Sequence, residues 1–296
     1  MSATGTDFTT TLLRSPDGTM IAVDSIGSGP PLILVGGAFS YRRWKGFVDL
    51  AIRLSDTFTV HGYDRRGRGD SGAGPTASGA ASGAASGAAS GAASGAASVA
   101  AEAGDLAVVA EHAGADSLIF GMSSGGVLAL RSVAAGVPAR GVVVYQPPFV
   151  VSDSGALPPA DFAEHLDRLV AENNRSAAVR YFMTRGMGAP APIVALMRLA
   201  PFWKDLKAVA HTLPADVAVM GDTIEGRPLA RHPWGQIEVP TLVLDGSKSP
   251  KATGLAADQL AGRLPAAQRA TLAGQGHNVA MTALEQAIRG FAGRSN

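Results

Sequence analysis

The stretch "GMSSGG" at 121–126 sets Gly121, Ser123 and Gly125 at the spacing G-x-S-x-G, with the strand-like run "SLIF" before it and the helix-like run "VLALRSVAA" after it. A serine in that context sits on a turn too tight for side chains at the flanking positions, and the strained turn holds its hydroxyl out at the edge of a sheet. The register selects Ser123 as a nucleophile. Ser124 then offers its backbone N–H, not its hydroxyl, to a developing oxyanion. A serine at its free pKa attacks poorly and needs a base within hydrogen-bond reach. Of the six histidines, His277 in "AGQGHNVA" lies on a glycine-rich loop after the last strand-like run. The others are placed elsewhere: His61 in a strand, His112 near a helix end, His165 and His211 in a helical stretch, His232 beside a proline. A second oxyanion donor is expected from the loop after an early strand. There "LILVGGAF" offers the N–H of Ala38, with Gly36 and Gly37 letting a substrate approach.

Composition narrows the chemistry further. The absence of cysteine removes disulfides, thiolate catalysis and cysteine-ligated metals, leaving oxygen and nitrogen chemistry with no cofactor and no metal expected. A net charge of +1 on 17% charged residues supplies no strong field to steer nucleic acid or an acidic partner. The N-terminus lacks a basic start followed by an apolar run, so it does not read as a secretory signal, and runs such as "LILVGGAF" are too short to span a bilayer. The expectation is a soluble, cytoplasmic protein with a small apolar substrate and neither nucleic acid nor membrane as partner. No feature specifies an oligomeric state.

The elements that must position these residues follow from periodicity. Two strands flank the turn "SPDG"; "PLILV" is a short β-rich run; "WKGFVDLAIRLSDT" has helical spacing; "FTVHGY" is a strand entering the loop "DRRGRGDSG". A four-residue Gly/Ala/Ser repeat then runs from Gly79 to Ser98. With no large apolar group it reads as a flexible insertion over about 77–98; a small-faced helix is the alternative, at a cost of about 1 kcal/mol per glycine relative to alanine. After "VAAEAGDLAVVAEHAGA", an amphipathic helix, come the elbow and the strand "ARGVVVYQPP". Helices and loops fill the chain from Phe149 to about Ile237, and strands return in "VPTLVLDGSKSP" and "QRATLAGQGHNVA" before a last helix. Alternating strands and helices imply an α/β fold: a mostly parallel, doubly wound sheet covered on both faces, with a helical insertion and ligands bound at the carboxyl ends of the strands.

The segments "LVGGAF", "GYDRRGRGDS", "GMSSGG", "PTLVLDG" and "GQGHNV", in this order, resemble the α/β-hydrolase fold family over nearly the whole chain apart from the repeat. With "VGGAF", "YDRRGRGDSG" and "MGD", the chain is most similar to actinobacterial-type serine hydrolases with a helical lid. The resemblance implies a core of 1–146 and 236–296, a helical cap over 147–235, and a structural role for Asp64, Arg65, Arg66 and Asp70. It also implies a triad of serine, acid and histidine, and here the chain departs from the pattern. The usual acid position after "TLVLDG" is Ser249, and the other position some members use, at the end of "VVVYQPP", is Gln146. Asp245 keeps the order Ser123, Asp245, His277 and is the candidate acid, alongside a bound water, Gln146, or no acid at all.

These residues imply a cofactor-independent serine hydrolase acting on an apolar ester, lactone or thioester through an acyl-enzyme. The cap residues Phe149, Phe162, Tyr181, Met183, Met187, Met197, Phe202 and Trp203 suggest an apolar pocket, although such a stripe is more often ordinary helix packing. Alternatives are a lyase, cyclase or acyl transferase on the same fold, or a binding protein with weakened catalysis.

Overall fold

The computed structural model describes residues 7–74, 87–114, 116–153 and 157–294. β1 (Thr9–Arg14) and β2 (Met20–Gly27) form an antiparallel hairpin. Its turn closes through Gly18, at φ 88°, where any side chain is strained. β3 (Pro31–Val35), β4 (Thr59–Tyr63), β5 (Leu118–Met122), β6 (Gly141–Tyr145), β7 (Thr241–Gly246) and β8 (Ala267–Leu272) complete one sheet in the order β1-β2-β4-β3-β5-β6-β7-β8. β2 is antiparallel to both neighbours, and every later pairing is parallel.

Both faces are covered, which explains why β6 and β7 are buried along their whole length. α1 (Lys45–Leu54) and α10 (Met281–Ala292) cover one face, where Phe47, Leu50, Leu284 and Ile288 meet Leu242 and Leu244. α2 (Gly87–Ala113), α3 (Ser124–Ala134) and α9 (Lys251–Ala261) cover the other, with Leu106, Val109, Val127 and Leu260 against Val142 and Val243. Sequence periodicity did not mark α9, yet β7 and β8 pair in parallel and need such a crossover. The fold class is the α/β-hydrolase arrangement expected from the sequence.

The flexible reading of the repeat needs correction over part of its length. Residues 75–86 lie outside the described residues, but from Gly87 the backbone is helical and continuous with the amphipathic stretch ending at Ala113. A Cβ built on Gly95 would already lie 3.6 Å from the Cβ of Ala218, so the small residues let another helix approach closely. Packing of the C-terminal half of α2 on the sheet offsets the helix cost of its glycines.

Between β6 and β7 lie α4 (Phe162–Ala171), α5 (Arg175–Tyr181) running into a π-helical turn at Phe182–Gly186, α6 (Ala191–Met197), α7 (Trp203–Ala208) and α8 (Leu213–Met220). They share their own core, in which Phe162, Leu166, Phe182, Trp203 and Leu213 are buried. The apolar stripe read from the sequence therefore divides. Phe162 and Trp203 are cap core, Phe149 packs on Trp234 at 5.4 Å between ring centroids, and Met187 and Phe202 face solvent.

Candidate active site

Parallel pairing brings the carboxyl ends of β3, β5, β6 and β7 to one edge. Ser123 leaves β5 there with φ 55° and ψ −130° and leads directly into α3. The turn is possible only because its neighbours are glycines. A Cβ on Gly121 would lie 2.5 Å from the Cα of Gly126, and one on Gly125 2.4 Å from the carbonyl oxygen of Val35. The Ser123 N–H donates to the carbonyl of Tyr145 at 2.9 Å, pinning the elbow to the end of β6. Non-glycine residues with positive φ among the described residues are Phe39, Ser123, Gln146 and Asn173. Three of these four stand at this sheet edge, and strain of that kind persists where the surroundings over-determine it.

The loop after β3 approaches the elbow closely: a Cβ on Gly37 would come within 2.9 Å of the Ser123 Cβ. The expected oxyanion donors are not equally free, however. The Ala38 N–H donates to the Ser124 hydroxyl at 2.9 Å, and that hydroxyl donates to Asp216 Oδ1 at 2.8 Å. Among the described residues the Ser124 N–H makes no hydrogen bond. Of the two donors expected from the sequence, the Ala38 N–H is thus engaged by the buried Ser124 side chain.

Asp216 anchors a network the sequence reading missed. Arg65 reaches its Oδ1 at 2.6 Å and Arg68 its Oδ2 at 2.7 Å; Arg65 also pairs with Glu102 of α2. All four are buried, two cations balancing two carboxylates. Burial alone would raise the Asp216 carboxyl, but the Arg68 and Arg65 guanidiniums outweigh it and hold it below the ordinary carboxylate value. Arg68 also donates to the carbonyls of Gly37 and Ser40, at 2.6 and 3.2 Å, and Arg65 to that of Gly36. The arginine-rich loop after β4 is scaffold, as expected, and what it holds is the loop around Ala38. Arg42 pairs with Asp24, Asp64 and Asp70, and Arg66 with Asp17 and Asp105, farther out in the same scaffold.

His277 follows β8 on a loop pressed against the end of β7, where a Cβ on Gly246 would overlap the carbonyl of Gln275 at 2.3 Å. Its Nδ1 meets Gln146 Oε1 at 3.1 Å. The Tyr145 hydroxyl donates to the Gly276 carbonyl and so can only accept from Gln146 Nε2, which also reaches the Ser249 hydroxyl; the amide carbonyl is thereby left toward the histidine. A carbonyl only accepts, so the proton sits on Nδ1 and the Nε2 lone pair is free. The ring is open to solvent at the mouth of the site, yet enough protein surrounds it that desolvation lowers its pKa. Among the described residues the Ser123 hydroxyl makes no hydrogen bond; in unliganded sites such contacts are often long.

Asp245 does not join this group. It pairs with Arg269 at 3.0 Å, and its other oxygen faces Gly254 of α9. Alternation along β7 puts it on the same face as Val243, whose neighbours include α9, while Leu244 points to the α1 and α10 side. The residue behind His277 is Gln146, and the two usual acid positions, Gln146 and Ser249, are bonded to each other. Of the other histidines, His61 bonds Ser25, and burial with nearby His112 lowers it to about 4, while His211 bonds the Gly67 carbonyl.

Phe39 joins the loop after β3 to the helices between β6 and β7, meeting Phe182 edge-on at 5.6 Å. A cavity of about 910 Å³ between α2, α4 and α8 has neither Ser123 nor His277 in its wall. Among the described residues no group of three His, Asp or Glu is arranged to hold a metal ion, and no helix is long and apolar enough to cross a membrane.

Among solved structures, an alpha/beta hydrolase from Sphaerobacter thermophilus is 42% identical with TM-score 0.82, over 95% of this chain and 100% of that one. A thermophilic esterase from Thermogutta terrifontis (22% identity, TM-score 0.61, 97% and 99% coverage) and an esterase from a Rhodococcus species (19%, 0.60, 97% and 99%) share the fold. No curated protein matches. Residues 32–294 match the family model described as the alpha/beta hydrolase family, and the chain belongs to that family.

Proposed function

We propose that the protein is a cofactor-independent serine hydrolase acting on small apolar carboxylic esters, lactones or thioesters through an acyl-enzyme. The observation that carries this reading is the Ser123 hydroxyl on a strained elbow, at the same sheet edge as a histidine whose Nδ1 is engaged by Gln146, which leaves Nε2 to serve as the base. Ser123 Oγ attacks the carbonyl carbon while its proton passes to His277 Nε2. The oxyanion takes a hydrogen bond from the Ser124 N–H and a second from the Ala38 N–H, shared with or released by the Ser124 hydroxyl. Collapse expels the alcohol or thiol, protonated by His277, and water repeats the sequence on the acyl-enzyme. Gln146 fixes the histidine tautomer but carries no charge to stabilise the imidazolium, so turnover is slow. Loss of an orienting carboxylate costs up to about 10⁴ in kcat where the tautomer is also lost. Here only the charge is missing.

Phe39 and Phe182 favour an apolar acyl or alcohol group. Labelling with a serine-directed phosphonate tests the reading. The wild type is expected to be modified at Ser123 and to show a burst on an activated ester, both absent in Ser123→Ala; an unlabelled wild type, or labelling that survives in Ser123→Ala, refutes it. The amide behind His277 also favours a second reading, a lyase or acyl transferase using His277 for proton transfer alone. Incorporation of oxygen from labelled water into the acid product separates the two.

A further inference from the structure

The outer end of the cap carries an apolar surface that the proposed reaction does not use. Ile193, Leu196 and Leu199 are 57, 69 and 83% exposed, and Met187 and Phe202 are 45% each. In α6 Val194 is buried and Met197 packs on the helical core, while Ile193 and Leu196 turn to water. Of the nine large apolar side chains exposed among the described residues, these five fall between 187 and 202, while Leu12, Ile52, Leu157 and Leu255 are scattered. Exposed apolar side chains gathered in one segment point to an interaction site, whereas ones scattered singly do not.

Charge is the second observation. Between residues 172 and 210 stand six cations, Arg175, Arg180, Arg185, Arg198, Lys204 and Lys207, against Glu172 and Asp205. The chain as a whole is +1, so the remainder carries −3. Among the described residues none of the six is in an ion pair, whereas Arg42, Arg65, Arg66, Arg68, Arg269 and Arg289 each are. Arg175, Lys204 and Lys207 converge on an open pocket of about 570 Å³ completed by Asn173, Asn174, Ser176 and Ala208. The Arg175 guanidinium has only the Asn173 side-chain oxygen and the Ala208 carbonyl as partners.

We infer that this end of the cap docks on the surface of an anionic lipid bilayer. Leu196, Leu199 and Phe202 enter the boundary between headgroups and acyl chains, while Arg175, Lys204 and Lys207 take lipid phosphates. Apolar burial and electrostatic attraction together are what peripheral membrane binding requires, and neither needs a spanning helix. The expectation of no membrane partner rested on spanning segments and did not address this face. A free phosphate would use the pocket and leave Leu196 and Leu199 without purpose. A second copy meeting this one through the same face would set six cations against six. The inference does not depend on the chemistry assigned to Ser123.

Flotation of the full chain with phosphatidylglycerol or phosphatidylcholine vesicles tests it, alongside Leu196→Ser/Leu199→Ser and Lys204→Glu/Lys207→Glu variants. The wild type is expected to float with phosphatidylglycerol at least about tenfold more than with phosphatidylcholine, and to release as salt rises from roughly 50 to 300 mM. Each double variant is expected to lose about tenfold or more of this binding with its circular dichroism and turnover of a soluble ester unchanged. Because the two variants remove different groups, misfolding of one leaves the other as the test. No flotation at low salt, equal binding to both vesicles, or binding unchanged in folded variants overturns the proposal. So does binding of inorganic phosphate without vesicle association, or a wild-type dimer that Leu196→Ser/Leu199→Ser dissolves.

Discussion

Replacing Gln146 with glutamate restores a carboxylate behind His277 at a position already built to receive one. Nδ1 and Oε1 are 3.1 Å apart, so the new charge would stand against the imidazolium, and the Ser249 hydroxyl, now an acceptor from the amide, would turn to donate. Two unit charges roughly 4 Å apart attract by about 4 kcal/mol at an effective dielectric of 20. That figure must be reduced twice. His277 is open to solvent, which screens the pair, and position 146 is only 4% exposed, so burying the carboxylate has its own cost. About 1.4 kcal/mol remains, equivalent to about one pH unit on His277 and about tenfold in kcat. The sign is definite. In the wild type, burial lowers the histidine, so the neutral base persists below pH 6.5 and the acid limb of kcat/KM lies below that value. In Gln146→Glu the limb moves upward and the plateau rises. Stopped-flow hydrolysis of a soluble activated ester across pH measures both. An unmoved limb with unchanged kcat, in a variant that folds and still labels at Ser123, would refute the claim that Gln146 orients the catalytic base.

Three further outcomes follow from the same geometry. Ser249→Ala removes one of the two hydroxyls that hold the Gln146 NH₂ and loosens the carbonyl facing His277; kcat is expected to fall by up to about tenfold with KM unchanged, and no change in kcat refutes the part given to Ser249 in orienting the histidine. Asp245→Asn removes a partner of Arg269 only, so phosphonate labelling at Ser123 should stay within about twofold of wild type, with stability lowered by about 1 kcal/mol in urea denaturation; a large loss of labelling returns Asp245 to the site. Asp216→Asn leaves Arg65 and Arg68 buried with one carboxylate between them, and is expected to destabilise the fold by about 3–5 kcal/mol, read from the denaturation midpoint.

The elbow was legible in the sequence because its requirements are local. Gly121 and Gly125 are needed where a Cβ would overlap backbone, and that demand is written within two residues of Ser123. The sheet was legible for a similar reason, since alternating strands and helices leave few ways to cover both faces. The acid was not. Chain order admits Asp245, but strand alternation turns it toward α9, and no pattern along the chain reports which face a residue at a strand end will take. Gln146 in place of a carboxylate was visible as a departure. Its effect was not visible, because the direction of the amide is set by hydrogen bonds to Tyr145 and to Ser249, the latter 103 residues away.

The least legible residue is Ser124, and it bears most on how the site works. Its neighbour is the proposed nucleophile, so register alone assigns it a backbone role; burial gives its hydroxyl another. That hydroxyl accepts from Ala38 and donates to Asp216, which belongs to α8 of the cap and is held by two arginines from the loop after β4. The donor at Ala38 is thus positioned by a chain of buried contacts that includes the cap. A displacement of α8 would move Asp216, then the Ser124 hydroxyl, and so change whether the Ala38 N–H faces the hydroxyl or the substrate oxygen. Sequence patterns single out the groups proposed to react. The readiness of the proposed oxyanion donor at Ala38 depends instead on a contact spanning 92 residues of chain, between a serine that looked redundant and an aspartate that carried no motif.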